Sequence, residues 1–165
     1  HYEIGLDMDK TPMTAAGEAT LRAELNRLTR VERPRIIKEI AAALAQGDLR
    51  ENAEFQYAKE EQGFIEGRLA EIASKLSNAQ IIDCTAIPPT GKVIFGTTVH
   101  LLNVETDEEV IYQVVGDDES DIKANKISVY SPIARALVGK SIDDVVVVVA
   151  PSGDIEYEIC KVEHI

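Results

Sequence analysis

In the stretch Gln46-Gly47-Asp48-Leu49-Arg50-Glu51-Asn52-Ala53-Glu54-Phe55, three carboxylates, Asp48, Glu51 and Glu54, stand at spacings of three. On a helix that spacing gathers side chains on one face. Carboxylate oxygens are hard ligands that suit Mg²⁺, whose shell is usually completed by waters and substrate phosphates. Phosphoryl-transfer enzymes use two such ions to activate a nucleophile and steady a leaving group. The stretch lies between two long amphipathic segments, so it is expected at the far tip of a helical hairpin. An exposed tip cannot exclude water or orient a substrate. Asp48 and Glu51 therefore make a poor stand-alone active site and a good half-site, able to complete a metal shell in another molecule's pocket. The same residues also read as helix-start chemistry: Asp48 as N-cap, Glu51 completing a capping box, and acidic residues favoured in a first turn. The two roles are compatible, because a cap holds its carboxylate in place.

Little else in the chain offers chemistry. There is no Gly-rich phosphate loop, no Cys/His metal quartet and no Ser/His/Asp arrangement. His1, His100 and His164 are scattered, and His100, in a predicted strand, reads as structural. Asp117-Asp118-Glu119-Ser120-Asp121 lacks the glycine and terminal glutamate of an EF-hand and reads as a solvated turn. Cys84 and Cys160 have neither metal-ligand spacing nor a disulfide framework, which points to a reducing, cytoplasmic compartment. No apolar run approaches a membrane span and no signal peptide is visible. The net charge is −12, which argues against general binding to nucleic acid. Residues 84–165 hold 6 Lys+Arg against 14 Asp+Glu, and residues 1–83 hold 11 against 15. The acidic second half suits a basic protein partner, or serves solubility alone.

The elements that must position the tip are two helices. Thr14 is a plausible N-cap for the first. Leu21, Leu25 and Leu28 begin an apolar stripe, and Ile36 or Ile37, Ile40 and Leu44 resume it. Pro34 interrupts the stripe and predicts a kink or short break near Val31–Arg33. Gly47 ends the segment. The second helix is expected from about Leu49 to about Ala79, with Ile65, Leu69, Ile72, Leu76 and Ala79 forming a coiled-coil seam. Gly63 and Gly67 lie inside it, where they could let the helices approach closely. Two helices of about 30 residues make an antiparallel rod of roughly 45 Å.

Residues 1–12 show no pattern and read as a leader or tag remnant, leaving 13–83 for the hairpin and 84–165 for a globular domain. In the latter, strands are predicted near Val93–Phe95, Val99–Val104, Val110–Val115, Ser128–Tyr130, Val145–Ala150 and Ile155–Val162. Pro151-Ser152-Gly153-Asp154 is a hairpin turn. A short helix fits Ile133–Val138, with Ser131 as cap, Pro132 at its first position and Gly139 closing it. The fold class is α+β in two domains, a helical hairpin followed by a mainly antiparallel sheet.

Gly47–Phe55 resembles the tip motif of the bacterial transcript cleavage factors of the Gre family. Met13-Thr14, Arg33-Pro34, Glu61-Gln62-Gly63-Phe64, Lys75-Leu76-Ser77-Asn78-Ala79, Val93-Ile94-Phe95-Gly96, Val115-Gly116-Asp117-Asp118-Glu119 and Ser131-Pro132-Ile133-Ala134-Arg135 match in order, over about Met13 to Ile165. The resemblance implies an antiparallel coiled coil and an FKBP-like C-terminal domain. It implies RNA polymerase as partner, with the globular domain docked at the rim of the secondary channel and the coiled coil reaching to the active centre. There Asp48 and Glu51 would help hold the second Mg²⁺, jointly with the polymerase, which cleaves the 3′ end of the backtracked nascent RNA. The chain itself would not be an enzyme. Asn52, Glu54 and Phe55 would support the tip, with Phe55 standing where tyrosine is common. Arg50 and Lys59 match RNA-contacting positions, and Leu44 stands where a relative can carry arginine. Tyr130, Ser131 and Pro132 would contribute to docking, beside their reading as a helix start. The free protein is expected to be a monomer away from membranes.

Three alternatives compete with that reading. A binding-only factor of the same shape would plug the channel and inhibit, but keeping both Asp48 and Glu51 argues against it. A prolyl isomerase needs an aromatic-lined pocket, which 5% aromatic residues without Trp hardly supply. An autonomous nuclease would cleave RNA with Mg²⁺ and no polymerase.

Overall fold

A computed structural model describes residues 9–47 and 52–165. They form two compact units, one of residues 18–78 and one joining residues up to Gly17 with Ala79–Ile165.

The helical unit opens with α1 (Ala15–Arg27), capped as the sequence predicts: the Thr14 hydroxyl accepts from the Gly17 amide at 3.0 Å. The helix passes Pro34 without a break. Leu28–Glu32 widen into a π-turn, in which the Arg33 amide donates to the Leu28 carbonyl, and α2 (Arg33–Leu44) follows with Pro34 in its first turn. Proline has no N–H for the turn behind it, and a wider turn accommodates its ring. Gly47 then turns the chain with a φ of 114°.

The return helix α3 runs over Ala53–Ser77. At about 1.5 Å per residue its 25 residues reach about 38 Å, shorter than the sequence predicts. Both ends explain the difference. Asn52 is extended and caps the helix, and Ala79 already belongs to a strand. Leu28, Ile36, Ala58, Ile65, Leu69 and Ile72 form the buried seam, flanked by Leu21, Leu25, Ile40 and Leu76. Ile36 rather than Ile37 takes the inward position. Gly63 and Gly67 do not mediate close approach, since a Cβ on either would meet nothing within 4 Å. Arginine–carboxylate forks fix the antiparallel register: Arg33 to Glu66 at 2.8 and 2.7 Å, and Arg68 to Glu24 at 2.6 and 2.7 Å.

The second unit includes a strand that the sequence did not indicate. β1 (Thr11–Thr14) pairs in parallel with β2 (Ala79–Ile82), so Thr11 and Pro12 belong to the fold rather than to a leader. Five further strands, β3 (Thr98–Asn103), β4 (Glu109–Val115), β5 (Lys126–Ser128), β6 (Val145–Val148) and β7 (Ile155–Glu163), form one sheet in the order β5-β4-β3-β7-β6. All its pairings are antiparallel except β4–β5. The expected strand at Val93–Phe95 is absent. Those residues are buried, but Val93 bonds the loop at Gly139–Lys140, and Gly96 turns the chain at a φ of 91°. The strand expected at Ser128–Tyr130 lies two residues earlier, because Ser128 and Ser131 are used to start α4 (Pro132–Leu137). In β7, Ile159 pairs with Leu101 and Lys161 with His100. Cys160 is thus a bulge residue, and burial passes from Tyr157 and Ile159 to Val162. The core gathers Val93, Phe95, Val99, Leu101, Val114, Leu137 and Ile159 between the sheet and α4.

Candidate functional site

The tip is held by Asn52. Its backbone is extended (φ −81°, ψ 95°), and its side-chain oxygen accepts from the Phe55 amide at 3.0 Å. Its amide nitrogen donates to the Ala43 carbonyl at 2.7 Å. One side chain thus satisfies an orphan donor at the start of α3 and adds a second donor to the Ala43 carbonyl at the end of α2, which also accepts from the Gln46 amide at 3.2 Å. Asn52 therefore takes the capping role expected of Asp48. A polar cap next to the acidic Glu54 was a usable signal, but the Asp48–Glu51 spacing competed with it.

Asp48, Arg50 and Glu51 lie outside the described residues. Glu54 is exposed in the first turn of α3, and Phe55 is half-buried. Lys59 is exposed and donates to Gln62 at 3.1 Å, and Leu44 is 45% exposed at the end of α2. Beside the tip, Glu39, Ala43, Ala53, Glu54, Tyr57 and Ala58 border an open groove of about 510 Å³. Tyr57 and Phe64 are strongly exposed aromatics, and both fall off the apolar seam.

At the other candidate surface, Tyr130 is exposed. Ser131 caps α4: its hydroxyl accepts from the Ala134 amide at 3.3 Å and donates to the Ser128 carbonyl at 2.7 Å. Pro132 occupies the first turn, where a missing N–H costs nothing.

The acidic run at 117–121 is a turn with a specific task. The Glu119 carboxylate accepts from the Thr14 amide at 3.0 Å, from the Thr14 hydroxyl and from the Gly116 amide at 3.1 Å. Gly17 and Gly116 leave room for it, since a Cβ on Gly17 would stand 2.4 Å from the carboxylate. His100 Nε2 lies 2.5 Å from Glu163 across β3 and β7, a structural pair that holds the Glu163 carboxyl below its usual range. Burial raises the Cys84 thiol, with Asp83 adding to the effect. Desolvation also raises Cys160, followed by the charges of Glu158, Glu109 and Asp143. Neither thiol is primed as a nucleophile. Among the described residues there is no group of three His, Cys, Asp or Glu that could hold a metal ion. Nor is any described helix long and apolar enough to cross a membrane.

Comparison with known proteins covers both units of the chain. A family model described as "Transcription elongation factor, N-terminal" matches residues 11–81, and one described as "Transcription elongation factor, GreA/GreB, C-term" matches residues 88–164. The chain is 60% identical to transcription elongation factor GreA of Pseudomonas aeruginosa over 158 residues, covering 96% of this chain and all of that protein. The GreA of Thioalkalivibrio sulfidiphilus is likewise 60% identical, with the same coverage. A solved structure, that of GreA factor homolog 1 (Gfh1) of Thermus thermophilus, is 27% identical with a TM-score of 0.42, covering 93% of this chain and 99% of that one. From β1 to the end of β7, through hairpin and sheet alike, this chain belongs to the GreA/GreB family of transcription elongation factors.

Proposed function

We propose that this chain is a transcription elongation factor that makes RNA polymerase cleave the 3′ end of backtracked RNA, so that synthesis resumes from a new end. The observation that carries this reading is the Asn52 bridge between Ala43 and Phe55. It ties the ends of α2 and α3 together around the short segment that contains Asp48 and Glu51. Carboxylate oxygens are the donor chemistry that Mg²⁺ takes. Asp48 and Glu51 would hold the ion jointly with the polymerase, and the ion's contribution is to activate the attacking water. Asn52, Glu54 and Phe55 support the tip. Arg50 and Lys59 attract the RNA backbone, and Tyr130, Ser131 and Pro132 take part in docking. The chain acts as a cytoplasmic monomer before it binds.

The test is a stalled, backtracked elongation complex carrying 3′-labelled RNA, mixed with wild-type protein, Asp48→Asn or Glu51→Gln in the presence of Mg²⁺. Wild type is expected to release short 3′ fragments, and the variants are expected to bind without releasing them. Equal cleavage by all three proteins would sink the metal-completing tip. Binding without cleavage by wild type would favour an inhibitor. RNA cleavage in a lane without polymerase would reveal an autonomous nuclease.

A further inference from the structure

β6 is an edge strand, and among the described residues no strand pairs with its outer side. Its register with β7 places Val145 opposite Glu158 and Val147 opposite Glu156. The Glu156 carbonyl accepts from the Val104 amide at 3.0 Å, so the backbone of Glu156 faces away from β6. The Val147–Glu156 pair is therefore the non-hydrogen-bonded kind. The N–H and C=O of Val147, and by alternation those of Val145, point to the free edge. Natural edges are usually blunted by lysine, proline or a bulge. Here Val145 to Val149 are all valine, and Val145, Val147 and Val149 are 56%, 49% and 71% exposed.

The charges around this edge have one sign. Residues 142–160 include Asp143, Asp144, Asp154, Glu156 and Glu158 and no lysine or arginine. Glu156 and Glu158 share the outer face with Val147 and Val145, while Val146 and Val148 turn into the core. An added strand would put alternate residues on these two faces. Those beside Val146 and Val148 would extend the core and should be apolar. Those on the outer face would lie two strand spacings, about 10 Å, from Glu156 and Glu158. A lysine or arginine stem laid over the valines spans that distance with its charge at the carboxylates.

We propose that the free edge of β6 docks an extended protein segment whose residues alternate between apolar and basic, adding it to the sheet as a sixth strand. This lies beyond the polymerase reading and does not depend on it. The strip is only four residues long, which fits one short segment and limits uncontrolled stacking.

The probe is an end-blocked eight-residue peptide alternating valine and lysine, titrated into the full ¹⁵N-labelled chain. Amide shifts are expected at residues 145–149 and 156–158, with slowed hydrogen exchange at Val145 and Val147. Glu156→Gln combined with Glu158→Gln should weaken binding about tenfold, a loss of about 1.4 kcal/mol. Val147→Lys should abolish binding while leaving the melting temperature within a few degrees of wild type. Shifts confined to other surfaces would overturn the proposal. So would equal binding of a valine–glutamate peptide, or of a peptide N-methylated at alternate residues. Concentration-dependent self-association that Val147→Lys removes would assign the edge to a second copy of this chain instead.

Discussion

Asn52 bridges two helix ends with one amide, and its two bonds can be separated by substitution. Asn52→Ala removes both and should cost the hairpin about 1–2 kcal/mol, seen as a lower helical melting temperature. Asn52→Asp keeps the acceptor for the Phe55 amide but loses the donor to the Ala43 carbonyl, and it sets a negative charge beside the carbonyl end of α2. Its melting temperature should fall between wild type and Asn52→Ala. The sequence contained the cap but also a stronger-looking decoy. Asp48 and Glu51 fit the capping-box spacing, and only backbone geometry shows that the helix begins at Ala53. Glu119 was less legible still. Its local bond to the Gly116 amide is ordinary capping chemistry, but its other partner, Thr14, is 105 residues away and is brought to it only by tertiary structure.

Among the elements, glycine to alanine should change sign with position. Gly63 and Gly67 lie in the interior of α3 facing open space, so Gly63→Ala and Gly67→Ala should each stabilise the hairpin by about 0.5–1 kcal/mol. A Cβ on Gly116 would stand 2.6 Å from the Pro12 carbonyl, which is backbone and cannot swing away. Gly116→Ala should therefore destabilise the globular unit by about 1–3 kcal/mol in a urea melt. The long elements were legible because their periodicity is sustained: the seam through Ile65, Leu69, Ile72 and Leu76, and the nine-residue strand β7. The short ones were not. β1 and β2 are four residues each and pair across the whole helical excursion, so neither carries a local pattern. Val93–Phe95 shows that an apolar β-branched run can be core without being strand.

For the molecule as a whole, acid should loosen the helical unit. Arg68 holds the Glu24 carboxyl, and Arg33 the Glu66 carboxyl, below their ordinary range. A carboxyl with a folded pKa below its unfolded one gives stability that is fully present above about pH 4.3 and is lost as pH falls through the lower folded value. The helical melting temperature should therefore be flat from neutral pH to about 5 and drop below 4, and salt should shrink that drop by screening the exposed pairs. Circular dichroism at high and low salt checks both. The parallel pairing of β1 with β2 has its own consequence for protein engineering. Residues 18–78 form a cassette within the sequence of the other unit, entered after β1 and left before β2. Parallel strands cannot be joined by a tight turn and need a crossover of about a dozen residues. Replacing the cassette with a flexible linker of about that length should leave a globular unit that still melts cooperatively. A two-residue splice should not. Hairpins of other lengths or tip chemistries should then be exchangeable at the same two joints.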